Sequence, residues 1–219
     1  MTGTQQVEKL TESQIIERII KGEKPLYEII VRRFNSYLYK IGRSYNYNHE
    51  DTQDLMQETY IKAFKNLAQF ENRSEFKTWL IRIMLNNCHH KKEKLSYKNE
   101  SLTKNIDENA NPMYSNSNND TARYIYNREL GQIIEESLCK IPEAYRLVFS
   151  LREMNGFNVS ETADLLAISE ANVKVRLNRA KSLLKKEIER SYSPTELFEF
   201  NLVFCDALTE RVMKGIADL

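Results

Sequence analysis

Residues that break helices are scarce here: of 219 residues only 6 are glycine and 4 are proline. Long segments therefore run without punctuation, and apolar residues recur at helical spacing almost throughout. The three cysteines, Cys88, Cys139 and Cys205, are too few and too scattered for a disulfide framework, which points to a reducing cytoplasm. An excess of either charge is missing too: 32 Lys and Arg stand against 31 Asp and Glu, a net charge of +1. Global charge thus gives no argument for nucleic acid, so any such case must rest on where the charges sit. No stretch approaches the roughly 20 apolar residues that cross a bilayer, so direct membrane insertion is not expected. Met1 to Leu10 lacks the basic-then-apolar run of a secretory signal. Neither a Gly-rich phosphate loop nor a paired metal-ligand cluster is present, and no internal repeat is visible.

What is there is helix. Gly22 and Pro25 end a short helix that starts near Glu12. The next runs from about Lys24 to Tyr45, with Leu26, Ile29, Ile30, Phe34, Tyr37, Leu38 and Ile41 on one stripe. A polar turn through Asn46, Asn48 and Asp51 leads into a third helix, about Thr52 to Asn66, with Leu55, Met56, Thr59, Tyr60, Ala63, Phe64 and Leu67 inward. A fourth runs from about Ser74 to Lys94, its inward stripe being Phe76, Trp79, Leu80, Ile83, Met84 and Asn87. The Asn- and Ser-rich stretch that follows cannot bury enough apolar surface to offset its ordering entropy, and reads as a linker. The expected fold is all-α: two helical domains, 11–94 and 122–190, joined by a flexible linker, 95–121, with a C-terminal helical extension, 191–219.

The second domain carries a helix-turn-helix pattern. A short helix from Ser160 to Leu166 is followed by the step Ala167-Ile168-Ser169, and Ser169 suits the N-cap of the next helix. In that helix Val173, Leu177, Ala180 and Leu184 share one face. The opposite face shows Asn172, Val175 and Arg179, flanked by Lys174, Arg176 and Lys181. Arg and Asn can pair with purine edges, Val175 can meet a thymine methyl, and the flanking cations can neutralise phosphates. Burying one side while showing cations and amides on the other is what a recognition helix requires. On an ordinary helix the same cations would only be solvated; the preceding short helix and capped turn favour DNA.

Two further blocks carry a resemblance. Asp54-Leu55-Met56-Gln57-Glu58-Thr59-Tyr60 and Phe76-Lys77-Thr78-Trp79-Leu80-Ile81-Arg82-Ile83 are similar to region two of bacterial sigma factors. Ile141-Pro142-Glu143-Ala144-Tyr145-Arg146, with the helix-turn-helix, resembles region four. With no third domain between them, the chain resembles the extracytoplasmic-function (ECF) group over about Thr11 to Arg190. The resemblance implies a non-enzymatic subunit, without cofactor or metal, that binds core RNA polymerase and promoter DNA. It implies that Asp54, Gln57 and Glu58 meet the β′ clamp helices, with the β flap as a second contact. Arg73, Ser74, Lys77, Arg82 and Asn86 would open and read the minus-ten element, the loop from Asn72 to Ser74 holding an extruded base. Ser169, Asn172, Lys174, Val175, Arg176, Arg179 and Lys181 would read the minus-35 element. An anti-sigma factor is a further candidate partner. Two departures stand out: Ala167 where the family commonly has Gly, and Val175 where a small polar residue is usual.

Some residues tempt other readings. Cys88-His89-His90 lacks the further ligands a structural zinc needs and reads as a packed Cys beside two exposed His. Trp79 lies on the inward stripe and reads as core rather than as a stacking platform, while His49 and Cys139 need no special role. The extension from Thr195 to Leu219 is broadly apolar and either docks on the second domain or serves as a partner-binding segment. A free-standing helix-turn-helix regulator would leave both region-two blocks unexplained, a helical nuclease lacks a convergent ligand set, and an anti-sigma or scaffold protein would not need a basic recognition helix.

Overall fold

The computed structural model describes residues 10–71, 74–97, 131–191, 209–210, 212–214 and 216. Among them every regular element is helical: α1 (Glu12–Ile20), α2 (Tyr27–Ser44), α3 (His49–Lys65), α4 (Phe76–Tyr97), α5 (131–139), α6 (Glu143–Phe149), α7 (Val159–Leu166) and α8 (Glu170–Ser191). The helix starts are written in side-chain chemistry. Thr11 and Gln14 form a reciprocal capping box on α1, and Asn158 and Glu161 form another on α7. The Asn48 side chain accepts from the Asp51 backbone N–H at 2.7 Å. That cap starts α3 at His49, three residues before the sequence expectation, so His49 belongs to the helix, where its Nδ1 lies 3.1 Å from the Tyr39 hydroxyl. Pro25 turns the expected start of the second helix into a 3-10 turn, Lys24–Leu26, and the α-helix proper begins at Tyr27. α4 runs on to Tyr97, three residues past its expected end; the rest of the expected linker lies outside the described residues.

Helices α2, α3 and α4 pack around the expected stripes: Ile30, Phe34, Leu38, Ile41, Leu55, Ala63, Leu67, Phe76, Leu80 and Met84 are all buried. The closest approach is at Gly42, where a side chain on α2 would meet Thr52 of α3. In the carboxy-terminal unit a smaller cluster of Val148, Ala163 and Val173 locks α7 and α8 onto α6. Between them α6 passes through a π-helical turn, Ser150–Met154, into a tight bend at Gly156, φ 74°.

The two units do not stand apart. Leu147, Leu151 and Phe157 of the second belong to the same buried cluster as the core of the first. Two buried arginines mark the junction. Arg43 bonds Glu135 at 2.6 Å and also donates to the carbonyl of Tyr47. Arg146, 4% exposed, donates to the carbonyls of Ser44, Leu138, Cys139 and Ile141. Burial pulls the Arg146 pKa below the usual arginine value, yet four carbonyl acceptors suit the charged form.

Most of the C-terminal extension lies outside the described residues; within it Val212, Met213 and Ile216 are helical and at least half exposed.

Two substitutions test this packing. A Cβ at Gly42 would sit 2.5 Å from Thr52 Cγ2 and 3.1 Å from Met84 Cε, so Gly42→Ala should lower stability by about 2 kcal/mol in urea melts. Ala167 ends α7 in the left-handed region at φ 52°, ψ 46°, so Ala167→Gly should raise stability by about 1 kcal/mol in the same assay.

Candidate polymerase and nucleic-acid interfaces

Three surfaces gather the residues that the sequence singled out. The first is the outer face of α3. Thr52, Leu55, Thr59 and Ala63 turn inward and leave Asp54, Gln57 and Glu58 exposed on the opposite side. Glu58 is joined to Lys62, one turn on, at 2.9 Å. Ile61, 48% exposed, shares this face and was not among the expected contacts. Its signal was available in the sequence, because position 61 follows Gln57 and Glu58 at i+4 and i+3. Acidic, amide and apolar groups side by side suit a helix partner with cations at its rim.

The second surface lies on α4 and the loop before it. Arg82 and Asn86, one turn apart, are exposed. Trp79 falls at i−3 from Arg82 and is only half-buried, tilted against Phe70 and Phe76 with ring centroids 5.3 and 5.5 Å away. It is thus the rim of the core, packed against the main cluster as the sequence reading expects. Ser74 is exposed and lines a cavity of about 490 Å³ with Glu12, Ser13, Ile16, Phe70, Glu75 and Phe76. Glu12 and Ser13 of α1 come to this cavity only through the fold; no sequence signal pointed to them. Arg73 lies outside the described residues.

Lys77 does not join Arg82 and Asn86. Its Nζ donates to the carbonyl of Asn155 at 2.5 Å and lies over the rings of Phe157 and Tyr37, 4.5 and 4.6 Å from their centroids. Burial lowers its pKa from the usual lysine value. Ile81 and Leu85 lie off the expected inward stripe, yet they are 1% and 5% exposed. α4 is therefore buried on more of its circumference than the periodicity of the first unit alone predicts. Cys88 is fully buried and its carbonyl accepts from the Tyr47 hydroxyl, while His89 and His90 are exposed beside Glu93. Among the described residues no cluster of His, Cys, Asp and Glu could hold a metal, and no helix is long and apolar enough to cross a membrane.

The third surface is α8. Ser169 accepts from the Asn172 backbone N–H at 3.2 Å, the expected cap. Val173 and Ala180 are fully buried, while Lys174, Val175, Arg179 and Lys181 are exposed. Asn172 accepts from Arg176 Nε at 2.9 Å, so the two are joined at the edge of the open face. Arg179 reaches the Tyr145 hydroxyl at 3.2 Å and Lys181 pairs with Glu153 at 2.9 Å. These tethers hold long side chains in place without covering the face between them.

Comparison with known proteins identifies the two units. The Sigma-70 region 2 family model matches residues 30–96, and the Sigma-70, region 4 model matches residues 131–184. The chain is 25% identical over 185 residues to the ECF RNA polymerase sigma-E factor of Haemophilus influenzae, covering 83% of this chain and 97% of that protein. It is 26% identical over 189 residues to the sigma-E factor of Escherichia coli, covering 83% and 96%. Among solved structures, the sigma factor RpoE in complex with the anti-sigma factor NepR from Bartonella quintana matches with a TM-score of 0.58 at 20% identity, over 74% of this chain and 96% of that one. CnrH in complex with the cytosolic domain of CnrY matches with a TM-score of 0.56 at 20% identity, over 81% and 97%. Two helical units in the order of regions two and four, with a capped helix-turn-helix in the second, place the chain in the ECF sigma factors, non-enzymatic initiation factors that direct RNA polymerase to promoters.

Proposed function

We propose that the three surfaces divide the work of initiation. The outer face of α3, through Asp54, Gln57 and Glu58 with Ile61 beside them, docks on the β′ clamp helices of core polymerase. Region four meets the β flap. Arg82 and Asn86, with the segment around Arg73 and Ser74, take the minus-ten element, while Lys77 is occupied by Asn155 and Phe157. The cavity beside Ser74 has aromatic walls and two carboxylates, a setting for an extruded base that carries an exocyclic amine. α8 takes the minus-35 element in the major groove: Arg179 and the Asn172–Arg176 unit present donors, Val175 an apolar contact, and Lys174 and Lys181 phosphate contacts. An anti-sigma factor is a natural further partner, since the similarly folded RpoE is seen with the anti-sigma factor NepR. The observation that carries the reading is the two-sidedness of α8, with Val173 and Ala180 sealed at 0% and Val175 half exposed on the far side.

Run-off transcription with bacterial core polymerase on a library of linear templates tests it: discrete transcripts should appear only when this protein is added. Tight sequence-specific DNA binding with no affinity for core polymerase would favour a free-standing regulator instead. Asp54→Arg should weaken core binding at least about tenfold with an unchanged melt, because the side chain lies outside the core. Arg179→Ala should weaken minus-35 binding by about 1–3 kcal/mol and relax specificity at one base pair, whereas Lys174→Ala should weaken all sequences alike and reduce the salt slope by about 1. Filter binding of the holoenzyme at several salt concentrations separates the two.

A further inference from the structure

Arg179 and Lys181 of α8 are each held from outside that helix, and by different chemistry. Lys181 meets the carboxylate of Glu153 at 2.9 Å, so its charge is partly answered before any nucleic acid arrives. Arg179 meets a neutral group instead: its Nη1 donates to the Tyr145 hydroxyl at 3.2 Å, across 34 residues. A phenol oxygen holds the guanidinium without neutralising it, and leaves Nε and Nη2, the other edge of the fork, for an outside acceptor. The Asn172–Arg176 bond is of another kind, because both partners ride on α8 and move together. The tyrosine side of the Arg179 contact is fixed. Tyr145 lies one turn before Val148 on α6, and Val148 is fully buried in one cluster with Val173 of α8. Its neighbour Arg146 is tied to the carbonyls of Ser44 and Ile141, which sets the turn of α6 from which the ring projects. The ring is half-buried and rotates about few bonds, whereas Arg179 is exposed on a long flexible stem.

We infer that Tyr145 is a specificity-determining positioning residue: it aims the Arg179 guanidinium at one base pair of the minus-35 element without meeting the DNA itself. This rests on the assignment of Arg179 to that element. A guanidinium reads a purine edge through two parallel N–H bonds, and the pairing discriminates only when the fork arrives in the plane of the base. An untethered arginine on an exposed face samples many rotamers, and binding has to remove that freedom. It can also settle on a phosphate, which every sequence offers. The bond to Tyr145 orders the fork before DNA arrives and draws it toward one edge of α8. Lys181 needs no such aim, because an ammonium is a point charge and its contact with a phosphate tolerates direction.

The test is filter binding of the holoenzyme, made with the full-length chain, to a promoter chosen by run-off transcription. A set of templates changed at one minus-35 base pair at a time reports discrimination. Tyr145→Phe keeps the ring and removes the oxygen, so the melt should be unchanged. Binding to the chosen promoter should weaken about fivefold. Discrimination should fall by the same factor at the base pair that Arg179→Ala relaxes, with the salt slope unchanged because no phosphate contact is lost. In the Arg179→Ala background Tyr145→Phe should add nothing. Discrimination left intact by Tyr145→Phe would overturn the positioning role. So would a uniform loss on all templates with a shallower salt slope, or a loss that persists without Arg179, since in either case the hydroxyl meets DNA itself. Tighter binding by Tyr145→Phe would overturn it as well, because the tether would then compete with DNA. Failure of the underlying assignment reads differently: Arg179→Ala itself would leave every minus-35 pair discriminated as before.

Discussion

Arg146 keeps a positive charge where water hardly reaches, and the helices around it are arranged to answer that charge. Its guanidinium collects the carbonyls of Leu138, Cys139 and Ile141 from the end of α5 and the turn after it, and that of Ser44 from the end of α2. Ser44 and Cys139 are the last residues of their helices, whose carbonyls a helix cannot satisfy by itself, and Ile141 lies in the turn that follows α5. One side chain thus fixes the corner between α5 and α6 and joins it to the end of α2. Arg43, close by in sequence to Ser44, answers with Glu135. Removing any one of these partners would strand a buried polar group, which is far more damaging than never having buried it.

Around this junction α4 carries three duties at once. Phe76, Leu80 and Met84 build the core, Arg82 and Asn86 stay open, and Lys77 and Lys92 reach partners in region four. Its apolar residues accordingly spread over more than the usual stripe, with Ile81 and Leu85 buried as well. The α3 helix is divided more simply, with one face to the core, one face to solvent, and its polar signature confined to the latter. The α8 helix repeats that division, with its exposed side chains tethered at the edges by Asn172, Tyr145 and Glu153. Such tethers reduce the rotamer freedom that binding would otherwise have to remove.

The sequence by itself determined the local features. Helical periodicity placed α2, α3, α4 and α8, and Ser169 at the start of α8 gave its cap, since a cap lies within three residues of the N–H it serves. The positive φ at Ala167 was legible as a departure from Gly at a turn. The open faces of α3 and α8 followed from which positions were not apolar. Tertiary structure alone decided what joins the units. Arg43 meets Glu135 across 92 residues and Arg146 meets Ser44 across 102, separations at which no periodicity speaks. Long separation likewise hid the capture of Lys77 by Asn155 and the approach of Glu12 and Ser13 to the Ser74 cavity. A helix records its own faces in its spacing, but which element covers each face is settled only when the chain folds back on itself.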